Sequence, residues 1–246
     1  MEPRPLPPLT SATLYLVATP IGNLEDITLR AIRVLRECDV VAAEDTRRTG
    51  QLLQHLGLRT PLLSYFQFNE ARRSGEILQR LARGEKIALV TDAGTPGISD
   101  PGERVVQAAL AHGFRVESVP GACALVAALT ASGLPTAEFH FAGFLPHKSG
   151  ARRQRLEALA AVPGTLVLYE SPYRIERLLG ELREVFPGRR LVLARELTKK
   201  FEEFRRGTAE ELLNSSSPRS WKGEFVVLIA PAGFDAPLSA QPDPTA

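Results

Sequence analysis

The chain has 246 residues, of which 44% are hydrophobic and 24% are charged. These fractions are ordinary for globular proteins, and they exclude a disordered, collagen-like or disulfide-scaffold chain. The formal net charge is only +2, so an RNA partner would require cations that are clustered locally.

The first half of the chain alternates short apolar runs with amphipathic segments. The predicted strands are residues 14–19, 40–43, 62–64, 87–91 and 115–119. The predicted helices are residues 28–37, 49–56, 74–83, 103–112 and 125–131. Strands that alternate with helices pair in parallel through crossover connections, which predicts an α/β sheet.

A second series of elements follows Gly133 and Pro135, which mark a domain boundary. Its predicted strands are residues 139–145, 165–169, 191–196 and 225–229, and its predicted helices are residues 152–160 and 173–186. We therefore expect an N-terminal domain of residues 12–133 and a C-terminal domain of residues 134–231, with flexible tails at residues 1–11 and 232–246. The predicted fold is two α/β domains with mostly parallel sheets and a ligand cleft between them.

Three turns rich in glycine and proline are predicted at the carboxyl ends of strands. Residues 92–102 hold three glycines and two prolines, in a connection longer than the usual two to six or so residues. Residues 18–23 and 119–124 occupy the same position after two other strands. Because such ends meet at one edge of a parallel sheet, we expect the three turns to form one ligand site. Residues 92–102 match neither GxGxxG nor GxxxxGK[ST], which disfavours a dinucleotide or a triphosphate.

Cysteine and histidine usage argues against a metal site. Cys38 and Cys123 show no ligand spacing, so the sequence predicts two reduced thiols and no metal. The proline-broken opening has no apolar signal-peptide core, and no apolar run reaches the length of about 18 residues that a membrane span needs. We expect a soluble cytoplasmic protein without membrane contact.

Seven motifs extend along the chain, at residues 16–24, 43–47, 92–102, 119–121, 141–146, 169–174 and 195–199. In this order they resemble the motifs of the bacterial 16S ribosomal RNA cytidine 2′-O-methyltransferases, a branch of the tetrapyrrole methylase superfamily. The resemblance covers all of the chain except the tails. Superfamily members that bind porphyrinoids commonly carry a Gly-Asp-Pro type of loop, where this chain has Gly94-Thr95-Pro96.

The resemblance implies two α/β domains that enclose S-adenosylmethionine, usually in a homodimer. It implies methylation of the ribose 2′-hydroxyl of cytidine 1402 in the 16S ribosomal RNA of the small ribosomal subunit. The residues that it assigns to the cofactor are Pro20, Asp92, Gly94, Thr95, Pro96, Ile98, Ser99, Ala122, Cys123, Tyr169 and Leu197.

Methyl transfer to a ribose hydroxyl requires positioning, and a base or a cation that handles the developing alkoxide. Glu170 and Glu196 end predicted strands, and we expect one of these catalytic candidates near the reacting hydroxyl. The alternative is that each is a surface charge or a helix cap.

RNA binding requires cations for the phosphates. Residues 147–155 hold four Lys or Arg side chains and no acid, which favours a mobile phosphate-binding loop hinged at Gly150 over a solvated helix face. The predicted RNA contacts are Arg47, Lys148, Arg152, Arg153, Arg155 and Lys199. Phe66 and Phe68 are predicted to lie in the core, with base stacking as the alternative.

Two other functions remain open from the sequence. One is an S-adenosylmethionine-dependent methylase of a tetrapyrrole or another small molecule, which would not need the basic segment. The other is a non-catalytic RNA-binding protein of ribosome assembly, which would not need the glycine-rich and proline-rich turns.

Overall fold

The computed structural model describes residues 7–215 and 221–236. The chain divides into two compact units, one ending at Cys123 and the other beginning at Ala124. The predicted boundary lies further along the chain, after Gly133. The structure differs because the helix that precedes Gly133 packs on strands of the second unit. The predicted tails fall largely on residues 1–6 and 237–246, which lie outside the described residues.

The first unit is a parallel sheet with connecting helices. Its strands are β1 (Thr13–Val17), β2 (Val40–Ala43), β3 (Leu62–Ser64), β4 (Ile87–Val90) and β5 (Arg115–Val119). Its helices are α1 (Leu29–Glu37), α2 (Thr46–His55), α3 (Glu70–Ala82) and α4 (Glu103–Ala111). The strand order is β3-β2-β4-β1-β5, and each pair is parallel. The predicted α/β class is confirmed.

Both faces of this sheet are covered, which explains why β2 and β4 consist of uninterrupted apolar residues. Each residue of these two strands is buried. Leu35 and Leu53 pack on one face, and Ile77 and Val105 pack on the other. A sheet with two such faces requires apolar side chains on both sides of each inner strand.

The residues just before β1 are packed, in contrast to the flexible tail predicted there. Leu9 lies against the core of the first unit. The backbone N–H of Thr10 donates to the Tyr15 hydroxyl at 2.8 Å, and the carbonyl of Pro7 accepts a bond from Arg33 at 2.8 Å. These contacts tie residues 7–10 to β1 and α1.

The second unit has a mixed sheet. Its strands are β6 (Phe139–Phe144), β7 (Thr165–Glu170), β8 (Leu191–Arg195), β9 (Glu203–Gly207) and β10 (Phe225–Ile229). Its helices are α5 (Ala124–Ser132), α6 (Ser149–Ala160), α7 (Ile175–Val185) and α8 (Ala209–Asn214). The strand order is β6-β7-β10-β8-β9. Only β6 and β7 pair in parallel, whereas the other three pairs are antiparallel.

Two elements of this unit, β9 and α8, are absent from the sequence prediction. β9 reads Glu-Phe-Arg-Arg-Gly, so Phe204 is its only large apolar residue and no alternation marks a strand. The strand forms because it completes the sheet beside β8. Helix α8 is too short for an apolar stripe, but Thr208 and Glu211 form a capping box at its start. Among residues 7–215 and 221–236, no helix combines the length and the apolar character needed to cross a bilayer.

Candidate active site

Three turns of the first unit are bonded to one another at the carboxyl ends of β1, β4 and β5. Thr19 and Gly94 exchange two backbone hydrogen bonds, with N···O distances of 2.9 and 3.0 Å. The Thr95 hydroxyl donates to the carbonyl of Ala122 at 3.1 Å. The prediction that the three turns meet is therefore confirmed, and it follows from the parallel order of the strands that carry them.

Small residues line the place where the turns meet. A Cβ atom on Gly121 would lie 2.8 Å from the Cβ of Ala18, so a side chain there would push two turns apart. Gly94 has φ of +85°, and its added Cβ would lie 3.3 Å from Ile21. Ser99 also has a positive φ, +62°, which costs energy for a residue with a side chain. These turns suit a ligand that main-chain groups contact closely.

The remaining predicted cofactor residues of this unit lie on the same turns. Pro96 and Gly94 are buried, whereas Ser99 is exposed. The predicted residues with intermediate exposure are Pro20, Asp92, Thr95, Ile98, Ala122 and Cys123. The structure thus gathers nine of the predicted cofactor residues at one edge of one sheet.

Acidic residues brace the turn that follows β4. Asp92 accepts a hydrogen bond from the backbone N–H of Asp45 at 3.0 Å and pairs with Arg48 at 3.1 Å. Burial raises the pKa of Asp100 to about 7, and the charges of Glu44 and Asp92 add to this rise. Burial likewise raises the pKa of Glu44. The carboxylate of Asp92 is thus committed to protein partners, and its part in cofactor binding stays a prediction.

Glu70, which sequence reasoning missed, holds the other end of this turn. Its Oε1 accepts bonds from the backbone N–H of Gly102 at 3.2 Å and from the Tyr65 hydroxyl at 3.1 Å. Glu70 begins α3 directly after the connection from β3. The available signal was an acid in the first turn of a helix that starts at this same sheet edge.

In the second unit, Tyr169 belongs to an aromatic group on β6 and β7. Its ring contacts Phe141 and Phe144, with centroids 4.9 and 5.7 Å away. Its hydroxyl accepts a hydrogen bond from the backbone N–H of Leu125 at 3.0 Å. The ring is therefore fixed in place at the end of β7.

Glu170, the next residue, is enclosed. Its side chain is 1% exposed and pairs with Arg174 at 3.2 Å, and its Oε1 accepts the N–H of Ser171 at 2.8 Å. Arg174 in turn donates to the carbonyl of Leu145 at 2.8 Å. The carboxylate of Glu170 is thus enclosed beside Arg174, and its part at the reacting hydroxyl stays a prediction.

Glu196 lies in a strained turn after β8. Glu196 and Thr198 have φ of +50° and +63°, a conformation that residues with side chains adopt rarely and often at functional sites. Burial raises the pKa of Glu196, but the N–H of Glu224 and the ammonium of Lys199 outweigh it and hold that pKa below its usual value. Both donors lie 3.0 Å from Oε1. Glu196 is therefore ionised at neutral pH, while Leu197 is buried beside it.

The basic segment after β6 is a helix and not the mobile loop predicted for it. Gly150 lies inside α6, so it is not a hinge. Arg152 is 2% exposed, and two of its nitrogens contact the carboxylate oxygens of Glu181 at 2.6 Å. Its third nitrogen donates to the carbonyls of Pro146 and His147. The prediction of Arg152 as an RNA contact is wrong, because the guanidinium is buried and each of its nitrogens donates a hydrogen bond within the protein.

The other predicted RNA contacts differ in how strongly they are paired. Arg153 contacts Glu184 at 2.6 Å and Glu157 at 3.1 Å. Lys199 contacts Glu196 and Glu224. Arg47 pairs with Asp45 at 2.8 Å, yet its side chain is 88% exposed. Lys148 and Arg155 are also exposed.

The two phenylalanines after β3 lie on the surface. Phe68 is 90% exposed and Phe66 is 37% exposed. The prediction that both belong to the core is wrong, because both side chains lie at the surface in the connection between β3 and α3.

The sequence of this chain matches the model of a known protein family. The model of the Tetrapyrrole (Corrin/Porphyrin) Methylases matches residues 13–213. The chain belongs to this family. Solved members of the tetrapyrrole methylase fold include uroporphyrin-III-C-methyltransferase from Thermus thermophilus, at 26% identity and a TM-score of 0.58, over 89% of this chain and 94% of that one. A second structure of that enzyme, complexed with S-adenyl homocysteine, shares the fold at a TM-score of 0.60, over 89% of this chain and 97% of that one, with 23% identity.

Curated relatives are more similar in sequence. Ribosomal RNA small subunit methyltransferase I of Pseudomonas aeruginosa is 51% identical over 93% of this chain and 82% of its own length. The protein of the same name from Halalkalibacterium halodurans is 49% identical over 88% of this chain and 75% of its own length. The family resemblance inferred from the seven motifs is thus confirmed.

Proposed function

We propose that this chain transfers the methyl group of S-adenosylmethionine to the ribose 2′-hydroxyl of a cytidine in small-subunit ribosomal RNA. The joined turns of the first unit carry this proposal, because their small residues and bonded main chains suit a closely held cofactor. The names of the relatives at 49–51% identity support ribosomal RNA as the substrate class.

The cofactor would supply a methyl group on a sulfonium, an electrophile that needs alignment with the nucleophile. Gly94, Thr95 and Ala122 are already held together by hydrogen bonds, so they would orient a ligand without an entropic cost of ordering. Glycine at position 121 keeps the turn after β5 against Ala18. Tyr169 and Leu197 are proposed cofactor contacts of the second unit.

Glu196 is the proposed general base. It is ionised at neutral pH, and Oε1 is held by Lys199 and the N–H of Glu224, which orients the carboxylate. The strained backbone of this turn supports a role beyond packing. Lys199 places a cation next to the base, where it would stabilise a developing alkoxide.

We propose that the protein acts as a homodimer and that it acts in the cytoplasm. Phe139 and Phe144 are 46% and 56% exposed on β6, which is an edge strand; exposed apolar side chains of this kind favour association. The free thiols of Cys38 and Cys123 fit a reducing compartment.

The test is methyl transfer from labelled S-adenosylmethionine to small ribosomal subunits, with uroporphyrinogen as the competing acceptor. We expect label on the RNA ribose. Label on the tetrapyrrole would replace the proposal, and cofactor binding without transfer to either acceptor would favour an assembly factor.

A pair of glycine variants tests the proposed cofactor site. Gly121→Val should abolish cofactor binding in calorimetry, since its Cβ alone meets Ala18 at 2.8 Å. Gly75→Ala is the control, because a Cβ there meets no atom within 4 Å. Equal cofactor affinity in the two variants, both folded by circular dichroism, would place the cofactor elsewhere.

A further inference from the structure

The turn between β3 and α3 presents an aromatic side chain to solvent. Phe68 is 90% exposed, and its ring lies 6.3 Å from that of Phe66, at an interplanar angle of 71°. An exposed aromatic ring offers its face for stacking with a planar ligand. The edge-to-face contact leaves the ring of Phe68 open for stacking.

Hydrogen bonds hold this turn in one conformation. The N–H of Phe66 donates to Oδ1 of Asn69 at 2.8 Å, and the N–H of Asn69 donates to the carbonyl of Phe66 at 2.8 Å. The Asn69 amide also donates to the carbonyl of Ser64 at 3.3 Å. The turn joins the sheet edge where the N–H of Tyr65 donates to the carbonyl of Ala43 at 2.8 Å. A ligand would therefore meet a platform that is already ordered.

Arginines surround this platform. Strand β2 is the neighbour of β3, and helix α2, which follows it, carries Arg47 and Arg48 in its first turn. Their side chains are 88% and 69% exposed, although they pair with Asp45 and Asp92. Arg72 is exposed in the first turn of α3, and it forms no ion pair with any residue that the structure describes. An exposed ring with exposed cations on the neighbouring helices is a combination that binds single-stranded nucleic acid, where bases stack on the ring and the cations contact phosphates.

The platform is continuous with the turns proposed for the cofactor. Strand β2 lies between β3 and β4, so the three carboxyl ends follow one another along the sheet edge. Glu70, two residues after Phe68, accepts the N–H of Gly102 at 3.2 Å. The last residue of the cofactor turn is thus bonded to the helix that begins beside the platform.

We propose that Phe68 stacks on an unpaired base of the RNA substrate, while Arg47 and Arg72 contact the adjacent phosphates. This inference rests on the proposed function, because it names where the RNA of that reaction binds. The charge of the surrounding arginines favours RNA over an apolar partner protein.

The first experiment replaces Phe68 and measures the Michaelis constant for small ribosomal subunits. Phe68→Ala should raise that constant by about 5-fold to 150-fold, the range expected for loss of one stacked base, with unchanged cofactor affinity. Phe68→Tyr should retain most of the activity, because the ring remains. Leu110→Ala is the matched control: Leu110 is 58% exposed in the same unit but lies near the end of α4.

A second measurement does not depend on turnover. Phe68→Trp places an indole on the platform, and a single-stranded RNA oligonucleotide should quench its emission beyond the change seen with wild type, whose Trp221 is buried. Leu110→Trp should show no such quenching. The concentration of half-quenching should rise with salt, as phosphate contacts require.

The outcomes separate this inference from the proposed function. If wild type methylates subunits and Phe68→Ala does so with the same Michaelis constant, the platform is wrong and the function stands. If wild type transfers no methyl group to RNA, the function fails, and quenching alone decides whether the platform binds RNA. A Phe68→Ala variant that changes only the oligomeric state would show a protein contact and overturn the proposal.

Discussion

The turn of residues 92–102 and helix α6 are ordered by opposite means. The turn is held by main-chain and short side-chain bonds to the neighbouring turns, such as those of Gly94 with Thr19 and of Thr95 with Ala122. Helix α6 packs through Leu156 and Leu159 on the core of its unit, and its long charged side chains add ion pairs to α7, Arg152 with Glu181 and Arg153 with Glu184. The bonds of the turn join it to the other turns at the same sheet edge, whereas the arginines of the helix bind its own neighbour, α7.

This difference explains why residues 92–102 are a stronger candidate for a cofactor site than α6 is for an RNA site. Glycine permits backbone conformations that other residues avoid, and proline restricts φ, so both act locally and do not depend on the rest of the chain. The availability of an arginine depends on the acids that packing brings to it, and those acids lie on a different helix. A run of cations is therefore weaker support for a phosphate site than a glycine-rich turn is for a ligand.

Of the variants considered for these two segments, replacement of Arg152 is expected to change the stability of the protein most. Arg152→Ala leaves the mostly buried carboxylate of Glu181 without its partner, and we expect the free energy of unfolding to fall by about 3 kcal/mol. Urea denaturation at pH 7 measures this change. The control is Arg153→Ala, whose side chain is 54% exposed and whose loss should change the free energy of unfolding far less, because solvent screens its ion pairs.

The double variant Arg152→Met with Glu181→Leu sharpens this test. Replacing both charges with apolar groups should recover most of the lost stability, because no buried charge is left unpaired. Equal losses in Arg152→Ala and Arg153→Ala would mean that the buried pair does not hold α6 in place.

A smaller effect is expected from Asp100, in the turn. Its pKa is raised to about 7 in the folded protein, above the unfolded value of about 3.9. Its contribution to stability is therefore fully present below about pH 4 and is lost as the pH rises through about 7. Asp100→Asn should match wild type at pH 4 and exceed it by about 1–2 kcal/mol at pH 8, a figure reduced for partial exposure.

Urea denaturation at several pH values measures this difference, with the exposed Asp26→Asn as the control. A variant that is equally stabilised at pH 4 and pH 8 would show that burial and the charges of Glu44 and Asp92 do not act on Asp100. This measurement shows whether acidic side chains stabilise the turn of residues 92–102, as charged side chains do for α6. We expect that they do not, and that the main-chain bonds hold the turn.

The features of the fold that depend on a local pattern of residues could be predicted from the sequence. The strands of the first unit and the meeting of its turns follow from apolar runs and from the geometry of parallel sheets. Strand β9 was missed because its partner β8, and not its own residues, makes it a strand. The burial of Arg152 and Glu170, and the exposure of Phe68, depend on which elements pack nearby, so no local pattern could reveal them.

The smallest expected effect separates two neighbouring arginines of α6. Arg155 is exposed, whereas the guanidinium of Arg153 is shared between Glu184 and Glu157. If α6 contacts RNA, Arg155→Ala should reduce the slope of log K against log salt by about 0.7–0.9, the value for one phosphate contact. Arg153→Ala should reduce it less, because its charge is already neutralised within the protein. Binding of small-subunit RNA across a salt series measures both slopes, and equal reductions would contradict the view that ion pairs decide which arginines of this helix bind phosphate.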